Sequence, residues 1–214
     1  MSPENRPGPH SRIVFLAACL ALLLAAGCSM RGELVQTPPP AEMELFKEYS
    51  FTRKVSDDFQ PGPKFRVDGT PVLGLFNSKN PSWDRETTLT LTGLPEGKRV
   101  VLQYDLYMIG EWESSGKFKD RYYVHIPDGP TVYEQTDFPC ELAQFGIEES
   151  AIGNDGFVVV KRHTLGYWIQ PTTVVIPASA VQNGTVKVIF YADLSGRGTE
   201  FMAMDNFKVF VEKS

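Results

Sequence analysis

The stretch Thr87–Glu113, TTLTLTGLPEGKRVVLQYDLYMIGEWE, decides the fold class of this 214-residue chain. Its first part, Thr87–Thr92, alternates threonine with leucine, and such alternation of polar and apolar residues predicts a half-exposed strand. The turn cluster Gly93–Gly97 follows, and Arg99–Ile109 is then predicted as a longer strand rich in valine, leucine and tyrosine. Two strands separated by a turn, without a 3.6-residue period, indicate β-structure.

The same pattern extends along the rest of the chain. After the turn Asn183–Gly184, the segment Thr185–Tyr191 places Val or Phe at every second position, and Phe207–Glu212 closes the chain in the same way. From Phe46 onwards β-branched and aromatic residues dominate, and turn signals recur about every 10 residues. The sequence therefore predicts an all-β fold of the antiparallel β-sandwich type.

The N-terminus has the organisation of an export signal. Arg6 and Arg12 precede the apolar run Ile13–Ala26, and small residues end this run directly before Cys28. The run of about 14 residues is too short to span a bilayer, which needs about 20. The text LLLAAGC resembles a bacterial lipobox, in which the cysteine becomes the mature N-terminus and carries acyl chains such as palmitate. The resemblance implies that residues 1–27 are a lipoprotein signal peptide and that Cys28 is lipidated.

The segment after the signal predicts a tether. Residues 28–45 are polar and contain three consecutive prolines, so they are expected to form a flexible link to a β-sandwich domain at 46–214. Ser29 follows the lipidated cysteine, and by resemblance to enteric sorting it implies the outer membrane if the source is diderm. The expected location is the cell envelope, with membrane attachment through lipid. The alternatives are an ordinary signal peptide cut near Ala26 and an uncleaved anchor.

Charge and cysteine content narrow the function classes. The net charge is −5 with both signs mixed, and a nucleic-acid-binding protein would need a clustered basic patch. Cys19 lies in the signal and Cys28 at the lipidation site, which leaves Cys140 and excludes an intramolecular disulfide. We expect Cys140 to be buried and inert. A free reactive thiol or an intermolecular link is the alternative.

The central motif resembles a jelly-roll module of exported bacterial proteins. The resemblance rests on Thr87–Glu113, on KDRYYVHIPDG at Lys119–Gly129 and on TDF at Thr136–Phe138. In that module a threonine-rich strand leads through a Gly-Leu-Pro turn into a long strand and an acidic loop with tryptophan. An Asp-Asn pair enters its last strand, and Asp205–Asn206 matches this pair. The resemblance covers about residues 55–212 and implies a jelly-roll topology.

Similar jelly rolls include carbohydrate-binding modules that hold a structural calcium ion where the first and last strands meet. The resemblance implies that Asp205 is a calcium ligand, with Asp57 or Asp58 as its partner. Calcium takes six to eight oxygen ligands, so carboxylates are suitable donors. The alternative is that these residues only form turns at strand ends.

The loop Gly110–Asp120 is the predicted ligand-binding segment, with Glu111, Trp112, Glu113 and Asp120 as candidates. An exposed tryptophan can stack on the apolar face of a sugar ring. The family has Trp-Asp-Gly in this loop, whereas here Glu113 follows Trp112, which puts a metal or ligand role carried over to the loop in doubt. Further aromatic candidates, each of which could instead fill the core, are Trp83, Trp168, Tyr122, Tyr123 and Tyr167.

The motifs for catalysis are weak. Glu111 and Glu113 would point the same way on a strand, as the acid and nucleophile do in some sandwich glycosidases, but the third acidic residue of the glucanase signature is missing. The chain has no nucleophile elbow and no His-Glu-x-x-His run. We therefore predict a membrane-tethered, non-catalytic module that binds a glycan or another envelope component. The alternatives are an assembly lipoprotein with a protein partner and a glucanase-like hydrolase.

Overall fold

Two antiparallel sheets packed face to face form the domain in the computed structural model, which describes residues 41–138 and 155–213. Within these ranges the strands are β1 (Met43–Tyr49), β2 (Phe59–Gln60), β3 (Lys64–Val67), β4 (Thr70–Phe76), β5 (Glu86–Thr92), β6 (Val100–Ile109), β7 (Arg121–His125), β8 (Thr131–Gln135), β9 (Gly156–Val160), β10 (His163–Ile176), β11 (Thr185–Asp193) and β12 (Phe201–Glu212). A 3-10 turn, Ala178–Ala180, lies between β10 and β11. Cys28, Cys140 and the predicted signal peptide lie outside the described residues.

The seven-stranded sheet has the order β3-β4-β12-β6-β10-β9, and β1 pairs with β12. The five-stranded sheet has the order β2-β5-β11-β7-β8. All pairs between these strands are antiparallel, so the prediction of an antiparallel jelly-roll sandwich is confirmed. No helix in the described ranges has the length and apolarity needed to cross a membrane.

The alternating segments form strands with the predicted faces. In β5 both leucines are buried, while Thr88 and Thr90 on the opposite face are partly exposed. In β11 and β12 the alternating apolar residues point into the core in the same way. The first strand begins at Met43, before the predicted domain start at Phe46. Pairing with β12 explains this difference, because Met43 lies opposite Glu212 and extends the edge of the sheet.

Strand β6 is the centre of the fold, and all ten of its residues are buried. One face contributes Tyr104 to the core between the sheets, where its ring stacks on Phe207 with centroids 5.0 Å apart. The Tyr104 hydroxyl also lies 2.8 Å from that of Tyr122 on β7, which links the two sheets. The other face contributes Tyr107 and Ile109 to a second buried cluster with residues of β3, β4, β9, β10 and β12.

The register defines two ends of the sandwich. Phe201 pairs with Ile109, so the β6–β7 and β11–β12 loops lie together, and the β4–β5 loop joins them because β4 pairs with the start of β12. Met43 pairs with Glu212 at the opposite end of the sheet. We name the end with the three loops the distal end. At about 3.3 Å per residue, it lies about 30 Å from the end where β1 begins.

Candidate functional site

Three carboxylates converge at the distal end. Glu113 and Asp120 belong to the β6–β7 loop, and Glu200 directly precedes β12. Carboxylate oxygens of the three residues all lie within 4.8 Å of one another. Asp120 and Glu200 are buried and Glu113 is half-buried. We name this group the carboxylate cluster.

Backbone amides of two loops bind the cluster. The two carboxylate oxygens of Asp120 accept hydrogen bonds from the N–H groups of Glu113 and Ser195, each at 2.7 Å. The Glu200 carboxylate accepts from the N–H of Gly196 at 2.5 Å. The Ser195 hydroxyl lies 3.1 Å from Glu113 Oε2 and 3.3 Å from Glu200 Oε1. The cluster therefore ties the β6–β7 loop to the β11–β12 loop.

Asn77 attaches the third loop of the distal end. Its buried Nδ2 group donates to the carbonyl oxygens of Gly196 and Glu200, at 2.8 and 2.7 Å. Its Oδ1 atom accepts from the backbone N–H groups of Lys79 and Asn80. The Asn77 side chain thus hydrogen-bonds to the backbone of both the β4–β5 loop and the β11–β12 loop. The positions of these two loops around the cluster therefore depend on each other.

Gly110 shapes the entry to the β6–β7 loop, and replacing it with alanine is expected to destabilise the protein. Its φ of 86° lies in the left-handed region, and a Cβ atom would lie 1.7 Å from the Thr199 carbonyl oxygen. Left-handed strain costs about 1–3 kcal/mol, and the clash adds to it. Gly116 has a φ of 80° but nothing within 4 Å, so Gly116→Ala serves as the control. Urea unfolding should show the larger loss for Gly110→Ala, and equal losses would contradict the close approach.

The electrostatics of the cluster favour a proton or a cation. Burial, together with the neighbouring carboxylates of Glu200 and Glu113, raises the pKa of Asp120 to about 9. A site that disfavours three negative charges can accommodate them if a positive ion binds among them. Calcium prefers such hard oxygen donors, and the three carboxylates come from loops that can adjust around the ion. The donor chemistry of this cluster therefore fits calcium.

The structure does not bring the predicted calcium ligands together. Asp57 pairs with Lys54 at 2.8 Å, and Asp58 pairs with Lys47 at 2.5 Å. Burial alone would raise the pKa of Asp58, but hydrogen bonds led by that from Lys47 hold it below its usual value. Asp205 lies on β12 of the seven-stranded sheet, whereas Asp57 and Asp58 lie in the segment between β1 and β2. Among the described residues, only the carboxylate cluster forms a group of three acidic, His or Cys side chains at ligand distance.

Asp205 lies beside a second acidic residue, Asp105, and outside the carboxylate cluster. It lies opposite Asp105 on the adjacent central strand β6. Burial, followed by the nearby Asp105 carboxylate, raises the pKa of Asp205. The Asn206 amide donates to Asp105 Oδ2 at 2.6 Å.

Trp112 is not the exposed platform that the sequence predicted. Its exposed fraction is 0%, and its indole packs edge to face on Phe138 with ring centroids 5.0 Å apart. Its Nε1–H donates to the Ile109 carbonyl at 3.4 Å. Glu111 and Glu113 lie in a loop rather than on a strand, so the premise of a strand-borne acid pair is wrong. The loop folds back because the indole contributes more to stability in the core than in water.

Partly exposed aromatic residues lie instead on the outer face of the five-stranded sheet. Tyr123 and Tyr191 are paired on adjacent strands, with ring centroids 6.3 Å apart and ring planes inclined by 19°. Next to them is an open pocket of about 530 Å³, which we name the aromatic pocket. Its lining consists of Pro61, Trp83, Asp84, Arg85, Glu86, His125 and Tyr191. Its volume lies within the usual range of ligand sites, and its lining combines aromatic and charged groups.

The remaining aromatic candidates divide between this region and the core. Trp83 lines the pocket, packs on Phe201 and carries the Lys161 ammonium group 5.1 Å from its ring centroid. Tyr122 and Tyr167 are buried. Trp168 packs against the main core.

Two important residues were missed by the sequence analysis. Tyr191 follows Phe190 in an alternating strand, so its outward direction could have been deduced from the pattern that placed Phe190 inward. Glu200 gave no local signal, because its role depends on a loop that meets Glu113 and Asp120 only after folding. The predicted ligand-binding residues Glu113 and Asp120 do lie at a common site, which is the carboxylate cluster and not the aromatic pocket.

Comparisons with known proteins provide distant neighbours only. No family model and no curated protein matches the chain. The fold is similar to the CBM22-1 xylan-binding domain of Paenibacillus barcinonensis Xyn10C, at 10% identity and a TM-score of 0.39, covering 80% of this chain and 96% of that domain. It is also similar to an adhesin domain of Lys-gingipain from Porphyromonas gingivalis, at 12% identity and a TM-score of 0.35, covering 78% and 98%. A third similar structure is Caldicellulosiruptor saccharolyticus CBM27-1 in complex with mannohexaose, at 14% identity and a TM-score of 0.26, covering 86% of this chain and 85% of that one.

Proposed function

We propose that this chain is a lipid-anchored, non-catalytic glycan-binding module of a bacterial cell envelope and that the aromatic pocket is its sugar site. The observation that carries the proposal is the aromatic pocket itself, where Tyr191 and Trp83 line an open space beside the Tyr123 ring. Sugar rings present apolar C–H faces, for which aromatic side chains are suitable partners. Glu86, His125 and Tyr191 of its lining lie on strands of the five-stranded sheet, so this part of the site needs little ordering on binding.

The polar lining supplies directional contacts for such a ligand. Asp84 and Glu86 can accept hydrogen bonds from sugar hydroxyls, and Arg85 can donate to them. Glu86 lies opposite Tyr191 across the β5–β11 pair, which places a carboxylate beside an aromatic ring. This combination of an apolar surface with a few polar groups gives both affinity and orientation.

Replacing Tyr191 with alanine is expected to weaken glycan binding about tenfold, because one packed aromatic contact of about 1–2 kcal/mol is lost. The test is a screen of neutral and acidic glycans and peptidoglycan, using the full-length protein in a non-ionic detergent. Val175→Ala is the control, because Val175 is an exposed apolar residue of the other sheet. Wild-type binding by the Tyr191 variant would refute the pocket assignment.

A structural calcium ion belongs to the same proposal. The resemblance to carbohydrate-binding jelly rolls implies such an ion, and the donor set of Glu113, Asp120 and Glu200 fits it. When bound, calcium would offset two of the three negative charges of the carboxylates. The surrounding backbone would then keep the distal loops in place through Asn77 and Ser195. The β4–β5 loop supplies Trp83, Asp84 and Arg85 to the aromatic pocket, so its order would also support the shape of that pocket.

Lipid attachment is proposed from the N-terminal sequence, and Cys28→Ala is expected to abolish it. The variant should lose labelling by a radioactive fatty acid and should appear in the soluble fraction, because a cleaved or weakly bound signal holds a protein less firmly than acyl chains. Ser29→Ala is the matched control and should stay labelled and membrane-bound. Continued labelling of the Cys28 variant would refute the lipobox assignment. The same fractionation in a diderm host tests the proposed outer-membrane location.

A protein partner is the second candidate function. The edge strand β9 exposes Phe157 and Val159, with exposed fractions of 48% and 61%. An edge strand with exposed apolar residues can accept a strand from another chain. Phe157→Glu should then abolish a cross-link to an envelope protein in membranes, while leaving the glycan screen unchanged.

A further inference from the structure

We infer that the glycan at the aromatic pocket is acidic and that a basic pocket beside it binds the acidic groups. The inference rests on the proposed glycan-binding function and specifies the class of glycan. The basic pocket has a volume of about 300 Å³ and lies at the distal end. Its lining consists of Lys79, Lys117, Phe118, Lys119, Asp193, Leu194 and Ser195.

The positive charge of this pocket is only partly neutralised. Lys79 pairs with Asp193 at 2.7 Å. Within the described part of the chain, Lys117 and Lys119 form no ion pair. Phe118 between them is 59% exposed, and the Lys117 ammonium group lies 5.6 Å from its ring centroid. Two lysines without counter-ions around an exposed aromatic ring provide charge and an apolar surface for one ligand.

The basic pocket continues the aromatic surface. Tyr191 and Asp193 lie two residues apart on β11, so their side chains leave the same face about 7 Å from each other. Arg121 lies opposite Asp193 on β7, and its guanidinium group donates to the Tyr123 hydroxyl at 3.3 Å. A sugar on the tyrosine surface would therefore have the Arg121 guanidinium group beside it, and the basic pocket begins two residues further along β11, at Asp193.

The position in the fold favours a glycan over the anchoring membrane. The chain enters β1 at the opposite end of the sandwich, about 30 Å from the distal loops. The lining of the basic pocket has three lysines and one aspartate, with the carboxylate cluster behind Ser195, so the lining itself is positive whereas the whole chain has a net charge of −5. Anionic groups on a polymer, carboxylate or phosphate, provide the matching chemistry.

The test compares acidic polymers with their neutral forms. The full-length protein in a non-ionic detergent is titrated with polygalacturonate and its methyl ester, and with a phosphomannan and its dephosphorylated form. An exposed ion pair changes Kd about 1.4- to 5-fold, so Lys117→Gln with Lys119→Gln should raise Kd about 2- to 25-fold on an acidic polymer. The neutral forms should bind both proteins equally. Lys98→Gln with Lys213→Gln removes the same charge at the opposite end of the sandwich and should have little effect.

The outcomes separate this inference from the proposed function. If acidic and neutral forms bind equally, and Tyr191→Ala weakens both, the sugar site stands and the acidic preference is refuted. If neither form binds, the glycan-binding function fails together with the inference. Direct binding of soluble dihexanoyl-phosphatidylglycerol, lost in the Lys117→Gln/Lys119→Gln protein and without binding to any polymer, would assign the basic pocket to a lipid headgroup and overturn the inference. Salt at 500 mM should weaken binding of the acidic polymers, because it screens the attraction between exposed charges, and this result would support the inference.

Discussion

Trp112→Ala is expected to lower the free energy of unfolding by about 3–5 kcal/mol, the usual cost of truncating a buried large aromatic residue. Trp112 is fully buried beside Phe138, and its side chain supports the start of the β6–β7 loop. The cavity would leave Phe138 without its partner and loosen the loop that carries Glu113 and Asp120. Denaturant unfolding of the two proteins measures the difference.

Trp112→Phe keeps an aromatic ring in the core and is the appropriate control. It should lose less stability than the alanine variant and retain glycan binding, because Trp112 does not line the aromatic pocket. A Trp112→Ala protein with wild-type stability would contradict the buried position. Loss of binding in a fully stable Trp112→Phe protein would restore the role that the sequence predicted for this residue.

Calcium is expected to raise the Tm of the protein, and EDTA to reverse the change. At a calcium concentration 100 times Kd, ligand linkage contributes about 2.7 kcal/mol. For a domain of this size, this corresponds to a Tm increase of about 5–10 °C. Asp120→Asn should remove most of the response, because it removes a charged ligand from the carboxylate cluster. Thermal unfolding with and without the ion measures both effects.

Asp205→Asn distinguishes the two possible calcium sites. It should keep the calcium response, since Asp205 lies opposite Asp105 and outside the carboxylate cluster. Loss of the response in this variant, with a normal response in Asp120→Asn, would place calcium at the ligands that the sequence predicted. An unchanged Tm at all calcium concentrations would refute the calcium proposal.

The metal-free protein should also depend on pH through Asp120. The folded-state pKa of about 9 is above the value near 3.9 of an unfolded chain, so the folded state binds more protons between these values. The free energy of unfolding should therefore fall as pH rises from about 4 to about 9 in EDTA. Asp120→Asn should flatten this dependence. A wild-type profile that rises over this window would contradict the assignment.

The fold could be predicted from local pattern, whereas the site could be predicted only in part, through Glu113, Asp120 and Trp83. Alternation in Thr87–Thr92 and Thr185–Tyr191 fixed the inward faces, because each strand contacts the core on one side only. Trp112 was misplaced because a tryptophan between two glutamates gives no periodic signal of burial. Glu200 was not found, since its partners are distant in sequence. Asp57 and Asp58 were assigned as calcium ligands by resemblance alone. The sequence did not show that each of them pairs with a lysine in the fold.

Tryptophan fluorescence during a glycan titration tests the central claim most directly. Of the chain's three tryptophans, Trp83 lines the aromatic pocket, Trp112 is buried, and Trp168 packs against the core. With a glycan that binds in the screen, emission should change saturably in the wild type and in Trp112→Phe, and the change should disappear in Trp83→Phe. A signal that persists in Trp83→Phe and is lost in Trp112→Phe would contradict the aromatic pocket as the sugar site.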